Sequence, residues 1–178
     1  MTTRLDGYFV FLAALVLLAI VPNHVHANSE RYRLIKGLMQ EVNVHRALNK
    51  VSALNLSTKL SAVAQKHAED MARGDFFSHI SSDGSDLEKR VSKEGYFGGL
   101  IAENLFAGTS SPKSVANAWM NSPSHRTNML NGKFSDAGLG FFSLSGEEKN
   151  SRYTHYWVII FAGHSHKISI NKSYRRGG

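Results

Sequence analysis

Three residues in this sequence have side chains suited to chemistry and stand where such side chains are seldom needed for packing: His79 in "GDFFSH", Glu103 in "IAENL" and His125 in "SPSHR". Two imidazoles and one carboxylate are a common set of three protein ligands for zinc, with a fourth position left to water or substrate. A water held in this way can become a nucleophile near neutral pH. Spacing alone does not join the three, because no His-x-x-x-His unit sets two ligands on one helical face. Each also has a purely structural reading. His79 could bond nearby backbone in a turn, and the His125 ring could simply pack. Glu103 lies between Ile101-Ala102 and Leu105-Phe106, and a carboxylate among apolar neighbours needs a partner, either Arg126 or a backbone N–H. His67, on an apolar helix face, reads as a hydrogen-bonded core histidine.

The elements that must hold these residues follow from periodicity. Over Tyr32 to Leu48, the residues Leu34, Ile35, Leu38, Val42 and His45 recur at helical spacing and predict an amphipathic helix. A second is expected in "LSTKLSAVAQKHAEDMARG", with Ser57 as N-cap, Leu60, Ala64, His67 and Met71 on the buried face, and Gly74 at the C′ position. Gln65, Lys66, Glu69 and Arg73 then face water. Ser85 and Glu88 have capping-box spacing for a short third helix that Gly95 stops. Ser111-Pro112 starts a fourth, with Pro112 at N1 and Val115 and Trp119 buried. Pro123 ends that helix and opens a short turn, with Ser122 as its start signal, so that His125 is aimed independently of the face that Trp119 buries. Beyond Asn131-Gly132 the pattern changes: "AGLGFFSL" and "YTHYWVIIFA" read as strands joined by the polar loop "SGEEKN". The three candidate residues fall at the edges of these elements, where rigid scaffolds commonly build sites. The sum is an α+β domain with helices over a small sheet.

Tyr8 to Val21 is almost wholly apolar, follows Arg4 and precedes the small residues Val25 and Ala27. This is the order of a signal peptide, cut after Ala27; the run is short of the about 20 residues of a spanning helix, and an uncleaved N-terminal anchor is the alternative. The expected organisation is a signal peptide at 1–27, one domain at 28–165 and a basic tail at 166–178. Export places the domain in the periplasm or outside a bacterial cell. The chain has no cysteine, so a disulfide framework, a thiolate metal site and a cysteine nucleophile are excluded. The net charge of +7 suits anionic lipid or acidic wall polymers more than nucleic acid in that compartment. The domain is expected to be monomeric.

The blocks "VNVHRALN", "KHAEDMARGDFFSH", "IAENL", "AWMNSPSHRTNML", "AGLGFF" and "YWVIIFA", in this order, resemble the CAP superfamily of cysteine-rich secretory proteins, antigen-five allergens and pathogenesis-related proteins, in its bacterial, cysteine-poor branch. The resemblance covers about Ile35 to Gly163. It implies a three-layer α-β-α sandwich with a small, mainly antiparallel central sheet, and a cleft where two histidines and acidic residues gather. It also implies His79 and His125 as the cleft histidines and Glu103 as the glutamate of a Gly-Glu-Asn motif, with Asn104, Ser122 and Arg126 beside them. Ala102 replaces the motif's glycine, and Ser122 stands where eukaryotic members carry a second acid.

Three functional readings follow. One is a secreted, non-enzymatic module that binds a divalent metal, zinc in the first place, at His79, Glu103 and His125, together with a further ligand. Another is a metal-assisted hydrolase of peptide, wall or phosphodiester bonds, with Glu103 as base or ligand and Arg126 as stabiliser. The last is an interaction protein that works through its basic surface. Ser78 or Ser124 has no Gly-x-Ser-x-Gly elbow to make it a nucleophile, and the glycine patterns of nucleotide-binding loops are missing.

Overall fold

The computed structural model describes residues 28–97, 99–145 and 151–163. The expected signal peptide, the basic tail with its boundary at 165 and most of the loop "SGEEKN" lie outside the described residues. Helix α1 occupies 28–48 and buries Leu34, Leu38 and Val42 as its spacing requires. The stripe ends on Arg46, which is fully buried, whereas His45 is half-buried with Nε2 3.2 Å from Asn117 Oδ1.

Helix α2, Thr58–Arg73, has Ser57 as N-cap accepting from the Leu60 N–H, and buries Leu60, Ala64, His67 and Met71 together with Val63, Ala68 and Ala72. Its end differs from the expectation. Gly74 is the C-cap in right-handed conformation, and the left-handed residue is Asp75, at φ 50°. The Phe76 N–H bonds to Met71 O and the Asp75 N–H to Ala72 O, the Schellman pair that satisfies terminal carbonyls. Gly74 is needed for space instead, since a Cβ there would lie 2.7 Å from the Phe76 ring. Helix α3, Leu87–Lys93, is capped by Asp86, which accepts from the Lys89 N–H, rather than by Ser85, which is buried one residue earlier. Gly95 stops it at φ 71°. Helix α4, Pro112–Asn121, starts at Ser111 and buries Val115 and Trp119; helix α5, Pro123–Met129, follows with Pro123 in its first turn.

Among the described residues the sheet has four strands, in the order β1 (Asn55–Leu56), β3 (Asp136–Ser143), β4 (His155–Ala162), β2 (Ile101–Ala107). The β3–β4 and β4–β2 pairs are antiparallel and the two-residue β1–β3 pair is parallel. Strand β4 is central and buried on both faces. Tyr156, Val158, Ile160 and Ala162 join the α2–α3 layer, while Trp157, Ile159 and Phe161 join the layer of α1, α4 and α5, as the period of two demands. The result is a three-layer α-β-α sandwich. Strand β2 was not expected, because the polar pair Glu103-Asn104 interrupts its apolar pattern.

Two glycines set how closely α2 lies on the sheet. A Cβ on Gly138 would come within 2.1 Å of Leu60 C, and one on Gly140 within 2.3 Å of Ala64 C, so a side chain at either position would push the helix away. At this distance Ser61 Oγ accepts from the Leu139 N–H at 3.2 Å and Gln65 Oε1 from the Phe141 N–H at 3.1 Å. Gln65 therefore covers the exposed edge of β3 instead of facing water.

Candidate functional site

Glu103 and Asn104 are not at an element edge. They occupy the middle of β2 and, being consecutive in a strand, point to opposite faces of the sheet. Both are buried, with Asn104 fully enclosed. Each holds one of the two histidines.

On the α2–α3 face, Glu103 Oε2 accepts from Arg90 Nη2 at 2.6 Å and Oε1 lies 2.8 Å from His79 Nδ1. Its partner is thus Arg90 of α3 and not Arg126. A carboxylate accepts only, so the neutral His79 ring carries its proton on Nδ1 and presents the Nε2 lone pair outward. The side chains of Glu103 and Arg90 are 2% and 8% exposed, that of His79 59%: a buried ion pair supports an accessible imidazole. Arg90 Nη1 also donates to His79 O at 2.7 Å and to Ser85 O at 3.1 Å, and so fixes the backbone of the turn as well as the ring.

His67 supports the same turn from below. Its Nε2 lies 2.9 Å from Ser78 O and its Nδ1 3.1 Å from Ser81 Oγ. The carbonyl requires a proton on Nε2, so Nδ1 accepts from the serine hydroxyl. Burial pushes the His67 pKa below its ordinary value, against an opposing pull from Glu103. This is the hydrogen-bonded core histidine expected from the sequence.

On the other face, Asn104 Nδ2 donates to His125 O at 3.1 Å, and Asn104 Oδ1 accepts from Asn128 Nδ2 at 2.9 Å. The Trp119 indole N–H donates to Leu105 O at 2.9 Å. The Trp119 indole of α4 therefore satisfies one carbonyl of β2, and the Asn104 side chain holds the first turn of α5 against the strand. His125 is half-buried there, and its pKa is lowered by burial and then by the neighbouring His79 imidazole. The ring is thereby favoured neutral beside its counterpart.

Ser122 joins α4 to α5 without a side-chain cap bond. Arg126 is exposed on α5, and among the described residues no acid pairs with it. A cavity of about 320 Å³ adjoins His125 and Ser122, walled by Phe77, Phe106, Trp119 and Tyr153.

The donor set fits a cation in part. Both Glu103 oxygens are engaged, and among the described residues no group of three or more His, Asp or Glu side chains could hold a metal ion. Among the described residues Glu103 has one hydrogen-bond partner on each oxygen, His79 on Oε1 and Arg90 on Oε2. Its place behind His79 is that of the carboxylate to which a metal-bound histidine usually donates its remaining N–H. Sequence reasoning missed Arg90 and Asn128. Arg90 could have been found, because Leu87, Arg90 and Val91 stand at the spacing of one buried face. Asn128 left no comparable signal.

The profile of the cysteine-rich secretory protein family, CAP, matches residues 39–161. The chain belongs to the CAP family. It is 29% identical over 106 residues to YkwD of Bacillus subtilis, covering 60% of this chain and 41% of that protein. It is also 29% identical over 106 residues to the B. subtilis membrane protein YlbC, covering 59% and 30%. The chain thus spans less than half the length of these curated relatives. Among solved structures, an extracellular SCP-domain protein of Bacillus anthracis aligns with a TM-score of 0.66 at 24% identity, covering 75% of this chain and 41% of that one. An outer surface protein of Borrelia burgdorferi aligns with a TM-score of 0.62 at 23% identity, covering 75% and 94%. These two likenesses bear on the fold.

Proposed function

We propose that this chain is an extracytoplasmic CAP-domain binding module in which His79 and His125 hold a divalent cation, with zinc the best suited, and present it to a further ligand without catalysing a reaction. The observation that carries the reading is the Arg90–Glu103–His79 chain, which directs the Nε2 lone pair of an accessible imidazole outward from a buried carboxylate. Neutral imidazoles are the ligating form, and the lowered pKa of His125 suits that role. When bound, the cation supplies Lewis acidity and open coordination positions. The residues of this chain supply two donors, the fixed tautomer of His79 and the backbone anchor of His125.

A hydrolase would need a free base near the reacting atoms. Glu103 has no uncommitted oxygen, and Arg126 stands exposed outside the ion-pair chain, which favours the non-enzymatic reading. The export-type order of residues 1–27 supports a place beyond the cytoplasmic membrane, as do the extracellular and outer-surface descriptions of the two structural relatives. No helix of the described residues is long and apolar enough to cross a membrane.

Calorimetric titration of the untagged mature protein with zinc chloride at pH 7.5 tests the proposal. Wild type should bind one equivalent, and His79→Ala and His125→Ala should each lose it, with His164 and His166 kept in every variant. Affinity in wild type should fall at pH 5.5, because a protonated imidazole cannot ligate. Binding that survives in the double alanine variant would leave the basic surface, and the interaction-protein reading, as the working alternative.

A further inference from the structure

The cavity beside His125 differs in character from the imidazole that borders it. Its walls come from β2, the α4–α5 junction, the turn after α2 and the segment entering β4. Phe77, Trp119 and Tyr153 place aromatic surface around it, and the Phe77 and Tyr153 rings stand 6.1 Å apart at 58°. Phe77 is 47% exposed, although a large ring two residues from His79 could have been buried in the adjoining α2–α3 layer. The polar side-chain groups on the lining are the His125 ring, the Ser122 hydroxyl and the Tyr153 phenol. Ser122 makes no cap bond, and among the described residues its hydroxyl has only a 3.5 Å contact with Ser124 Oγ, so it is available to a ligand oxygen. The volume, about 320 Å³, lies at the lower end of the range for small-molecule sites.

We propose that this cavity is a recognition pocket for an aryl group, so that the ligand of the cleft is an aromatic carboxylate whose ring lies against Phe77, Trp119 and Tyr153 and whose carboxylate meets His125 and Ser122. The carboxylate head is chosen by the polar groups of the lining: it offers the His125 imidazole and the Ser122 hydroxyl but no acid, and Glu103, the nearby acid of the site, has its charge answered by Arg90. The aryl group is chosen by shape and by the preference of aromatic rings for offset or edge contacts with one another. This inference rests on the reading of the cleft as a binding site, but its apolar half does not depend on the metal.

The probes are 3-phenylpropionate and propionate, titrated into the full mature protein and followed by amide and indole N–H shifts, with zinc and again with a chelator. Wild type should bind 3-phenylpropionate on the order of ten- to a hundredfold more tightly than propionate, the gain coming from burial of the ring. The shifts should centre on Ser122, His125 and the Trp119 indole. Ala118→Trp, which fills the cavity from α4, should remove the gain while leaving propionate binding in place. Phe77→Ser, at the exposed rim, should reduce the gain without risk to the core. Equal affinity of the two acids in wild type overturns the pocket, as does a gain that survives in both variants. Loss of zinc binding with the aryl preference retained would overturn the cation reading alone. A peptide ending in a free phenylalanine, compared with its amide, separates a peptide terminus from a free aryl acid as the source of the same chemistry.

Discussion

Two arginines are buried among the described residues, and their surroundings answer the charge in different ways. Arg46, on α1, meets no carboxylate among the described residues. Its Nε donates to Ser52 O at 2.7 Å, its Nη1 to Met129 O and Asn131 O at 2.8 and 3.1 Å, and its Nη2 to Phe134 O at 3.1 Å. It takes up carbonyls left open at the end of α5 and in the turn that follows, and burial lowers its pKa from the ordinary value. Arg90, on α3, pairs with Glu103 through Nη2 and gives its Nη1 to the turn that carries His79. The first arrangement satisfies backbone and presents nothing to solvent. The second ends in an imidazole nitrogen aimed outward. A buried charge thus becomes part of a site when its network terminates at an accessible, chemically able group, and Arg46 shows what the same residue does when it does not.

The largest effect is expected at Arg46. Arg46→Met should leave several buried carbonyls without donors and lower stability by roughly 3–5 kcal/mol, read from the urea midpoint, while the protein that stays folded keeps its zinc affinity. Arg90→Met should cost about 3 kcal/mol, because Glu103 is left buried without its counter-charge, and should also weaken zinc binding. The double variant Arg90→Met/Glu103→Leu sharpens the contrast. Replacing a buried ion pair by apolar residues is often close to neutral, so most of the stability should return while zinc binding does not. Recovery of both would show that the pair serves the fold alone.

A smaller effect concerns pH. His67 and His125 both have pKa values lowered by burial, so below about pH 6.5 the unfolded chain binds more protons than the folded one. Their contribution is fully present above that pH and is lost as pH falls through it. Wild type should have a lower urea midpoint at pH 5.5 than at 7.5. In His67→Asn, which faces the same Glu103, Arg90 and Asp70, that difference should shrink, and an unchanged difference would remove His67 from this account.

The helices and the β3–β4 ribbon were legible because their apolar residues recur at periods of 3.6 and 2, and because caps such as Ser57, Ser111 and Gly95 mark their ends. Strand β2 was hidden by the two residues that matter most in it, since a buried acid and a buried amide break the pattern that announces a strand. His79, Glu103 and His125 stood out by residue type, but the partners of Glu103 did not. What occupies the two oxygens of a buried carboxylate cannot be read from its own neighbours in sequence, and Arg90 and His79 approach those of Glu103 from other parts of the fold. The C-terminus of α2 shows a similar limit: Gly74 carries the expected residue type, yet the contact with the Phe76 ring gave it a different duty.

The central claim, that Glu103 supports His79 from behind and leaves Nε2 as the outward donor, is tested most directly by imidazole ¹⁵N spectroscopy of the zinc-free protein at pH 7.5. The account predicts His79 in the Nδ1–H form, with its Nε2 resonance the one that moves when zinc is added. His79 in the Nε2–H form, or zinc perturbing Nδ1 instead, would contradict it.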